Sequence, residues 1–201
     1  MTKSELRKIY LARQKEFLPA ERNEKSEQIS NRFFTNFDLK NVRFLHCFIA
    51  IEKFNEIDTS LILKRLWRDF PHIKTIVPRV DFQTNRMESL IFGVKTELEK
   101  NDWEIREPVE SESVAADEID AVLVPLLCFD ARGFRVGYGK GFYDRFLKNC
   151  REDCLRIGLS YFAPVEEISD ARDFDVRLDF CVTPEKVFTT KTLKNTKESE
   201  N

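Results

Sequence analysis

The stretch at 119–127, IDAVLVPLL, constrains the fold of this chain more than any other. It is β-branched and apolar without alternation, so a strand built from it must be covered on both faces. Such a strand belongs in the middle of a sheet, with helices above and below. The remainder of the chain after residue 40 agrees, because strand and helix signals alternate. Strands are expected at 42–51 (VRFLHCFIAI), 73–78 (IKTIVP), 87–94 (MESLIFGV), 155–161 (LRIGLSY) and 178–183 (LDFCVT). Helices are expected at 58–70, with Asp58 as N-cap, and at about 141–150. Two helices come first. Thr2 and Glu5 form a capping-box pattern ahead of Leu6, Ile9, Tyr10 and Phe17 at helical spacing. Pro19 opens the second, with Ile29, Phe33 and Phe34 on its buried side. This order predicts an α/β fold, a layered α/β/α arrangement around a largely parallel, Rossmann-like open sheet. At 201 residues the chain is long enough for one core. A single domain is expected over 1–188, with a polar tail at 189–201 that frays.

The apolar strand leads into GFRVGYGKGFYDRFL at 133–147. Of the chain's six glycines, four fall within 133–141, so the bare backbone is concentrated at one place. In a parallel sheet that place, beyond the C-terminal end of a strand, is where ligands collect. Glycines there let the chain turn sharply and bring N–H groups against an anion, with the start of the next helix adding positive potential. Lys140, between Gly139 and Gly141, would meet the same anion. A purely structural turn has the same pattern. The segment is not a Walker A loop, since no Ser or Thr follows Gly-Lys, and its glycine spacing is not that of the dinucleotide fingerprint.

Other classes are excluded by composition. A net charge of -2 provides no field for nucleic acid or an anionic membrane. The N-terminal residues carry no apolar signal region, and no run is long enough to span a bilayer, so a cytoplasmic location is expected. Five cysteines, Cys47, Cys128, Cys150, Cys154 and Cys181, fit buried reduced thiols. Cys150 and Cys154, four apart, could face one another on a helix, but no second pair completes a zinc site. His46 lies in an apolar run and His72 follows a proline at a loop, so neither has the setting of a catalytic base. Any chemistry therefore falls to carboxylates, lysines and a bound metal.

RVGYGKGFYDRFL resembles the signature of the 5-formyltetrahydrofolate cyclo-ligase family, Arg-Leu-Gly-(Tyr/Arg)-Gly-x-Gly-(Tyr/Phe)-Tyr-Asp after an LVPL-x-x-FD strand, here LVPLLCFD at 123–130. KSELRKIYLARQ resembles that family's opening helix. VPRV (77–80), NDWEIREP (101–108) and DVRLDFCVTPE (175–185) resemble later segments. The resemblance implies an ATP-driven ring closure. The formyl oxygen of 5-formyltetrahydrofolate takes the γ-phosphoryl group, N10 attacks the activated carbon, and phosphate leaves, giving 5,10-methenyltetrahydrofolate. Phosphoryl transfer is mostly positioning and charge neutralisation, so the site needs cations and Mg²⁺, plus an aromatic wall for the pterin.

The resemblance also implies residues. Lys3, Arg7, Arg135, Val136, Gly137, Tyr138, Gly139, Lys140, Gly141, Phe142 and Tyr143 would bind ATP, with Lys140, Arg135 and Tyr143 as its catalytic group. Ile51, Glu56, Trp103, Tyr138 and Phe142 would border the folate. Asp144 and Asp175 would hold the metal, a hard cation that takes oxygen ligands. Without the resemblance, Lys3 and Arg7 are equally a solvated helix face, Glu56 an ordinary loop acid and Trp103 a core residue. Two cations at a helix start oppose the macrodipole, so their removal is expected to leave thermal stability unchanged or raised. The chain departs from the family between 162 and 174, where it lacks a frequent Gln and carries Phe174 in place of a His. A monomer using reduced folate and ATP is expected, with no nucleic-acid or membrane partner. Two other classes remain open: a non-catalytic folate- or nucleotide-binding relative, which would not need Lys140, Asp144, Asp175 and Glu56 together, and a phosphosugar isomerase, which would not need ATP.

Overall fold

The structure is a computed structural model that describes residues 1–101, 105–109 and 111–190. Trp103 and the residues from 191 on lie outside the described residues. The chain opens with α1 (Lys3–Lys15) and α2 (Pro19–Asn36). Thr2 caps α1 and Glu5 returns the bond, its carboxylate accepting from Thr2 N–H at 2.9 Å. Then follow β1 (Phe44–His46), α3 (Ser60–Asp69), β2 (Lys74–Asp81) and β3 (Arg86–Ile91). A two-stranded ribbon, β4 (Leu98–Lys100) and β5 (Arg106–Pro108), precedes β6 (Ala121–Pro125). The remainder is β7 (Cys128–Phe129), β8 (Arg135–Val136), α4 (Phe142–Leu147), β9 (Leu155–Leu159), β10 (Phe180–Val182) and β11 (Val187–Thr189).

Seven strands form one sheet in the order β11-β10-β9-β6-β1-β2-β3. The five inner strands are parallel, and β3 and β11 close the edges antiparallel. The apolar stretch at 119–127 supplies β6 at the centre, paired to β1 through Leu45↔Ala121 and to β9 through Ala121↔Leu155. Alternate residues serve opposite layers, as a period of two requires. Leu45, Val77, Leu123, Ile157 and Val182 pack with Ile29 and Phe33 of α2 and Ile62 and Leu66 of α3. Ile76, Val122, Val124 and Cys181 pack with Phe146 and Leu147 of α4 on the other face. A third cluster docks α1: Leu6 is buried with Cys128, Phe134, Val136 and Ile168.

Several local expectations shift. The apolar run at 42–51 gives a strand of three residues, because the chain leaves the sheet after His46 to build a loop with a 3₁₀ turn at Glu52–Phe54. The residue ahead of α3 is Thr59 rather than Asp58, whose carboxylate accepts instead from Ser60 N–H at 3.0 Å. Ile9 is exposed although it keeps helical spacing. Thr189 pairs with Phe180, and Thr190 is buried with its hydroxyl donating to Leu178 O, so residues 189 and 190 are part of the sheet edge. Among the described residues no helix is long and apolar enough to cross a membrane.

Candidate functional site

The glycine loop does not follow β6 directly. β7 and β8 intervene as a hairpin, with Phe129 paired to Arg135, and its turn is held by Asp130, whose carboxylate accepts from Arg132 N–H and Phe134 N–H. Gly133 belongs to this turn. Its φ is +86°, and a Cβ there would stand 2.7 Å from Leu178 O, so this glycine serves packing rather than a ligand. The ligand-type segment is the remainder, 137–141, where Gly139 has φ +97° and Gly141 has φ +68°. A Cβ on Gly137 would meet nothing within 4 Å, so open space lies over that residue. The helix that follows has six residues, and a helix so short contributes little dipole to an anion.

α1 lies on this loop and brings its polar stripe with it. Arg7 Nε donates to Gly137 O at 2.9 Å, and the position a Cβ would take on Gly139 is 3.2 Å from the Arg7 guanidinium. The Lys3 ammonium pairs with Asp175 at 2.5 Å, and Asp175 also accepts from Arg172 N–H at 2.6 Å. Beside this pair stands a second. Arg135, its side chain 5% exposed, donates to Asp144 at 2.8 Å and to Val176 O. Val176 N–H donates to the same Asp144 oxygen at 3.2 Å. Burial draws the Arg135 guanidinium below its ordinary pKa, and Asp144 opposes the shift. Arg135 therefore stands behind Asp144 as its support, both terminal nitrogens engaged, rather than free on the surface. Lys140 is exposed, and its ammonium forms no ion pair among the described residues.

The two carboxylates suit a hard cation. Each has one oxygen engaged by protein, Asp144 Oδ1 and Asp175 Oδ2, and the second oxygen of each accepts no hydrogen bond among the described residues. No group of three potential ligands gathers among the described residues. A Mg²⁺ ion held by one or two carboxylates, with substrate phosphates and water completing the shell, matches such a set.

A second cluster lies farther along α1, near Gln14 and around Glu56. Ile51 N–H donates to the Glu56 carboxylate at 2.7 Å, and Arg22 Nε donates to Glu56 O at 2.7 Å. The Tyr138 hydroxyl neighbours the same carboxylate and favours its charged form. Tyr138 accepts from Gln14 Nε2 at 3.1 Å and stacks on Phe54 with ring centres 5.0 Å apart. Glu56 is 3% exposed, and burial raises its carboxyl to about pKa 7 against the pull of these donors. Burial likewise lifts the Tyr138 hydroxyl well above its ordinary value. The cavity enclosed by Gln14, Phe48, Glu56 and Tyr138 is about 10 Å³, room for one water molecule.

Between the clusters stands Tyr143. Its hydroxyl is buried with no hydrogen-bond partner among the described residues, and burial raises its pKa well above the ordinary value. His46 approaches it edge-on at 5.9 Å. Phe142 is placed apart from the other folate candidates. It lines a groove of about 1050 Å³ with Arg79, Met87, Arg145 and Phe146, between α4 and the β2–β3 hairpin.

The structure thus joins Lys3, Arg7, 135–141, Asp144 and Asp175 in one charged cluster and Ile51, Glu56 and Tyr138 in an adjacent buried one. Gln14, Arg22 and Phe54, which hold Glu56 in place, were missed in the sequence. A signal for Gln14 was present, since it lies two helical turns beyond Arg7 on the same face as Lys3.

The model of the 5-formyltetrahydrofolate cyclo-ligase family matches residues 1–184. The 5-formyltetrahydrofolate cyclo-ligase of Escherichia coli K12 is 26% identical over 179 residues, covering 88% of this chain and 97% of that one. The solution structure of Aquifex aeolicus 5,10-methenyltetrahydrofolate synthetase superposes with a TM-score of 0.80 at 27% identity, covering both chains in full. The 5,10-methenyltetrahydrofolate synthetase of Mycoplasma pneumoniae has the same fold, with a TM-score of 0.74 at 23% identity over 92% of this chain and all of that one. With the glycine loop, its two acids and the cations of α1 assembled in this fold, the chain belongs to the 5-formyltetrahydrofolate cyclo-ligase family.

Proposed function

We propose that this protein converts 5-formyltetrahydrofolate and ATP to 5,10-methenyltetrahydrofolate, ADP and phosphate. The observation that carries the reading is the docking of α1 on the glycine loop, which sets Arg7 against Gly137 and Lys3 against Asp175, beside the Arg135–Asp144 pair, with Lys140 exposed on the same loop. In this reading Lys140, Lys3 and Arg7 neutralise the triphosphate, and the backbone at 137–141 follows it. Asp144, steadied by Arg135, and Asp175 hold Mg²⁺, which supplies charge neutralisation on the phosphates when bound. The formyl oxygen bonds to the γ-phosphorus as the bond to ADP breaks. N10 then bonds to the formyl carbon, loses its proton, and phosphate departs with the formyl oxygen.

Glu56 and Ile51 face the folate, with Tyr138 forming the boundary between the two substrates and Trp103 an aromatic at the folate side. Phe142 extends that boundary into the groove beside Arg145. Tyr143, buried with its hydroxyl unpaired, is placed to donate to a ligand oxygen arriving between Glu56 and Arg135. Glu56 near neutrality in pKa can act as hydrogen-bond donor or acceptor toward a pterin edge.

The test is purified protein with 5-formyltetrahydrofolate and Mg-ATP, followed by near-ultraviolet absorbance of the conjugated methenyl product. The chromophore is expected only with both ATP and a divalent metal. Equal product without ATP, or none under any condition, overturns the reading.

A further inference from the structure

The loop that leaves the sheet after β1 carries an aromatic side chain, Phe54, with a setting of its own. Phe54 closes the 3₁₀ turn at Glu52–Phe54, and Asn55 follows it in the left-handed region, with φ +56°. Asn is one of the few residue types that adopt that conformation readily. The Asn55 amide nitrogen donates to Phe17 O at 2.8 Å and to Gln14 O at 3.2 Å, which pins the turn to the C-terminal end of α1. So pinned, Phe54 lays its ring on Tyr138 of the glycine loop, with 5.0 Å between centres and 20° between planes.

This stack does not serve the core. Neither ring belongs to the three apolar clusters, and Phe54 stays half-buried. A single group joins its two sides. Gln14, 2% exposed, donates from Nε2 to Phe54 O at 2.7 Å and to the Tyr138 hydroxyl at 3.1 Å. A side-chain amide has two N–H donors, so both are used. At the inner end, Gln14, Glu56 and Tyr138 line the space for one water. At the outer end, the ammonium groups of Lys15 and Lys53, both exposed residues, stand over the Phe54 ring at 5.7 and 5.5 Å.

We propose that Phe54 and Tyr138 are two jaws that take the pterin of 5-formyltetrahydrofolate between them, with Gln14 as the latch. The inference rests on the function proposed above and adds Phe54 and Gln14 to the folate side. A flat ring between two others needs about 7 Å, twice an aromatic contact of ~3.5 Å, so the jaws part by about 2 Å. Parting them breaks one of the two Gln14 bonds, and a buried N–H left without a partner is costly. The flat half of a pterin carries a carbonyl and ring nitrogens that accept this hydrogen, and an N–H edge for the Glu56 carboxylate. A plain aromatic ring stacks equally well but does not replace the bond, so the latch selects a heterocycle with acceptors. The anionic tail of the folate then leaves past Lys15 and Lys53, whose charge suits its carboxylates.

Binding of 5-formyltetrahydrofolate is measured calorimetrically on the full chain with Mg²⁺ and a non-hydrolysable ATP analogue, so that no turnover occurs. Binding of the analogue is measured separately. Phe54→Leu keeps an apolar side chain without a ring, and it should bind the folate roughly tenfold more weakly, since one of two stacking faces is lost. Its affinity for the ATP analogue should match wild type, and Phe54→Tyr should bind both as wild type does. Phe54→Trp adds a reporter whose extra emission over wild type should be quenched by the folate. The inference is overturned if Phe54→Leu binds the folate as tightly as wild type, or loses as much affinity for the ATP analogue as for the folate. It is equally overturned if Phe54→Tyr is as weak as Phe54→Leu, or if the emission added by Phe54→Trp does not respond to the folate. Each of these failures leaves the ring-closure assay of the wild type intact. A wild type that binds no 5-formyltetrahydrofolate overturns the proposed function, and this inference with it.

Discussion

The two halves of the site are prepared in opposite ways. Around Lys3, Asp175, Arg135 and Asp144, charges are kept by pairing, at 2.5 Å and 2.8 Å, in a partly exposed setting. Around Glu56 and Tyr138, charge is suppressed by burial, and neutral hydrogen bonds fill a space with room for one water. The difference teaches what each half must do for its substrate. On the proposed reading the charged half would bind by exchanging partners: phosphate would replace Asp175 at Lys3, and a metal would take the free oxygens of the acids. On the same reading the buried half would bind by opening, since a pterin needs far more room than about 10 Å³. Such an exchange of partners costs little because each charge passes from one charged partner to another and none is left buried and unpaired. Opening a packed aromatic cluster costs more, and it sets a threshold that only a large flat ligand meets.

The comparison breaks most sharply at Asp144. Asp144→Asn keeps an amide oxygen for Arg135 and removes a metal ligand, so turnover should fall about a hundredfold or more. Asp144→Ala also leaves the buried Arg135 without its acceptor, a further loss of roughly 1.5–3 kcal/mol in stability, since bonds to charged groups have that size. Turnover and melting temperature of both variants separate the two roles. Wild-type turnover in the Asn variant would remove the metal assignment.

Lys3→Ala with Arg7→Ala tests partner exchange. The helix-start argument alone expects no loss of stability, but in the structure Lys3 bonds Asp175 and Arg7 bonds Gly137 O. The double variant should therefore melt a few degrees lower, by roughly 1 kcal/mol for bonds at partly exposed positions. ATP affinity should fall more, by about 2 kcal/mol for the pair, roughly thirtyfold, because the phosphates' gain is reduced by the bonds given up. A melting shift with unchanged ATP affinity would make the pair purely structural.

These contrasts also mark what the sequence could disclose. The sheet was legible because the stretch at 119–127 permits a central strand and little else, and Leu45, Leu123 and Ile76 alternate faithfully between layers. The charged cluster was legible through the family resemblance, since Lys3 and Arg7 taken alone are equally a solvated helix face. Its pairing was not, since Lys3 and Asp175 are 172 positions apart and nothing local couples them. The buried cluster was the least legible. Glu56 looks like a loop acid until Gln14 and Phe54 fold over it, and its raised pKa is a property of burial alone. Gly133 shows the reverse error: a glycine in a ligand-type run that the structure spends on packing against Leu178.

Glu56→Gln sharpens the buried half. The folate KM should rise about tenfold, or 1.4 kcal/mol, with the ATP KM unchanged. The variant should also alter stability with pH. Glu56 has a folded pKa of about 7 against an unfolded value of 4.5, so the folded state binds the proton more tightly. Wild-type stability from this group therefore falls as pH rises from 4.5 to 7, and Gln should abolish that part. Urea unfolding across the window measures it. A rise in the ATP KM with folate unaffected would reverse the assignment.

The smallest effect is expected at His46, which touches both halves through Tyr143 but takes part in neither. Its ring is fully buried, both nitrogens lack partners among the described residues, and burial lowers its pKa from 6.5 to about 3. The unfolded chain takes up a proton at His46 below pH 6.5 and the folded chain does not. The stability this group contributes is thus present above pH 6.5 and lost as pH falls toward 3. His46→Leu removes the titration and the two unpaired nitrogens together. At pH 7.5 the variant should be as stable as wild type or more so, because unpaired buried polar atoms are costly. At pH 5 it should gain on wild type by about 2 kcal/mol, one proton over 1.5 pH units. Turnover at pH 7.5 should change little, because His46 holds Tyr143 by ring contact alone. Parallel stability curves for the two proteins between pH 7.5 and 5 would show that His46 titrates normally in the fold. The packing around His46 beneath Tyr143 would then be open to water.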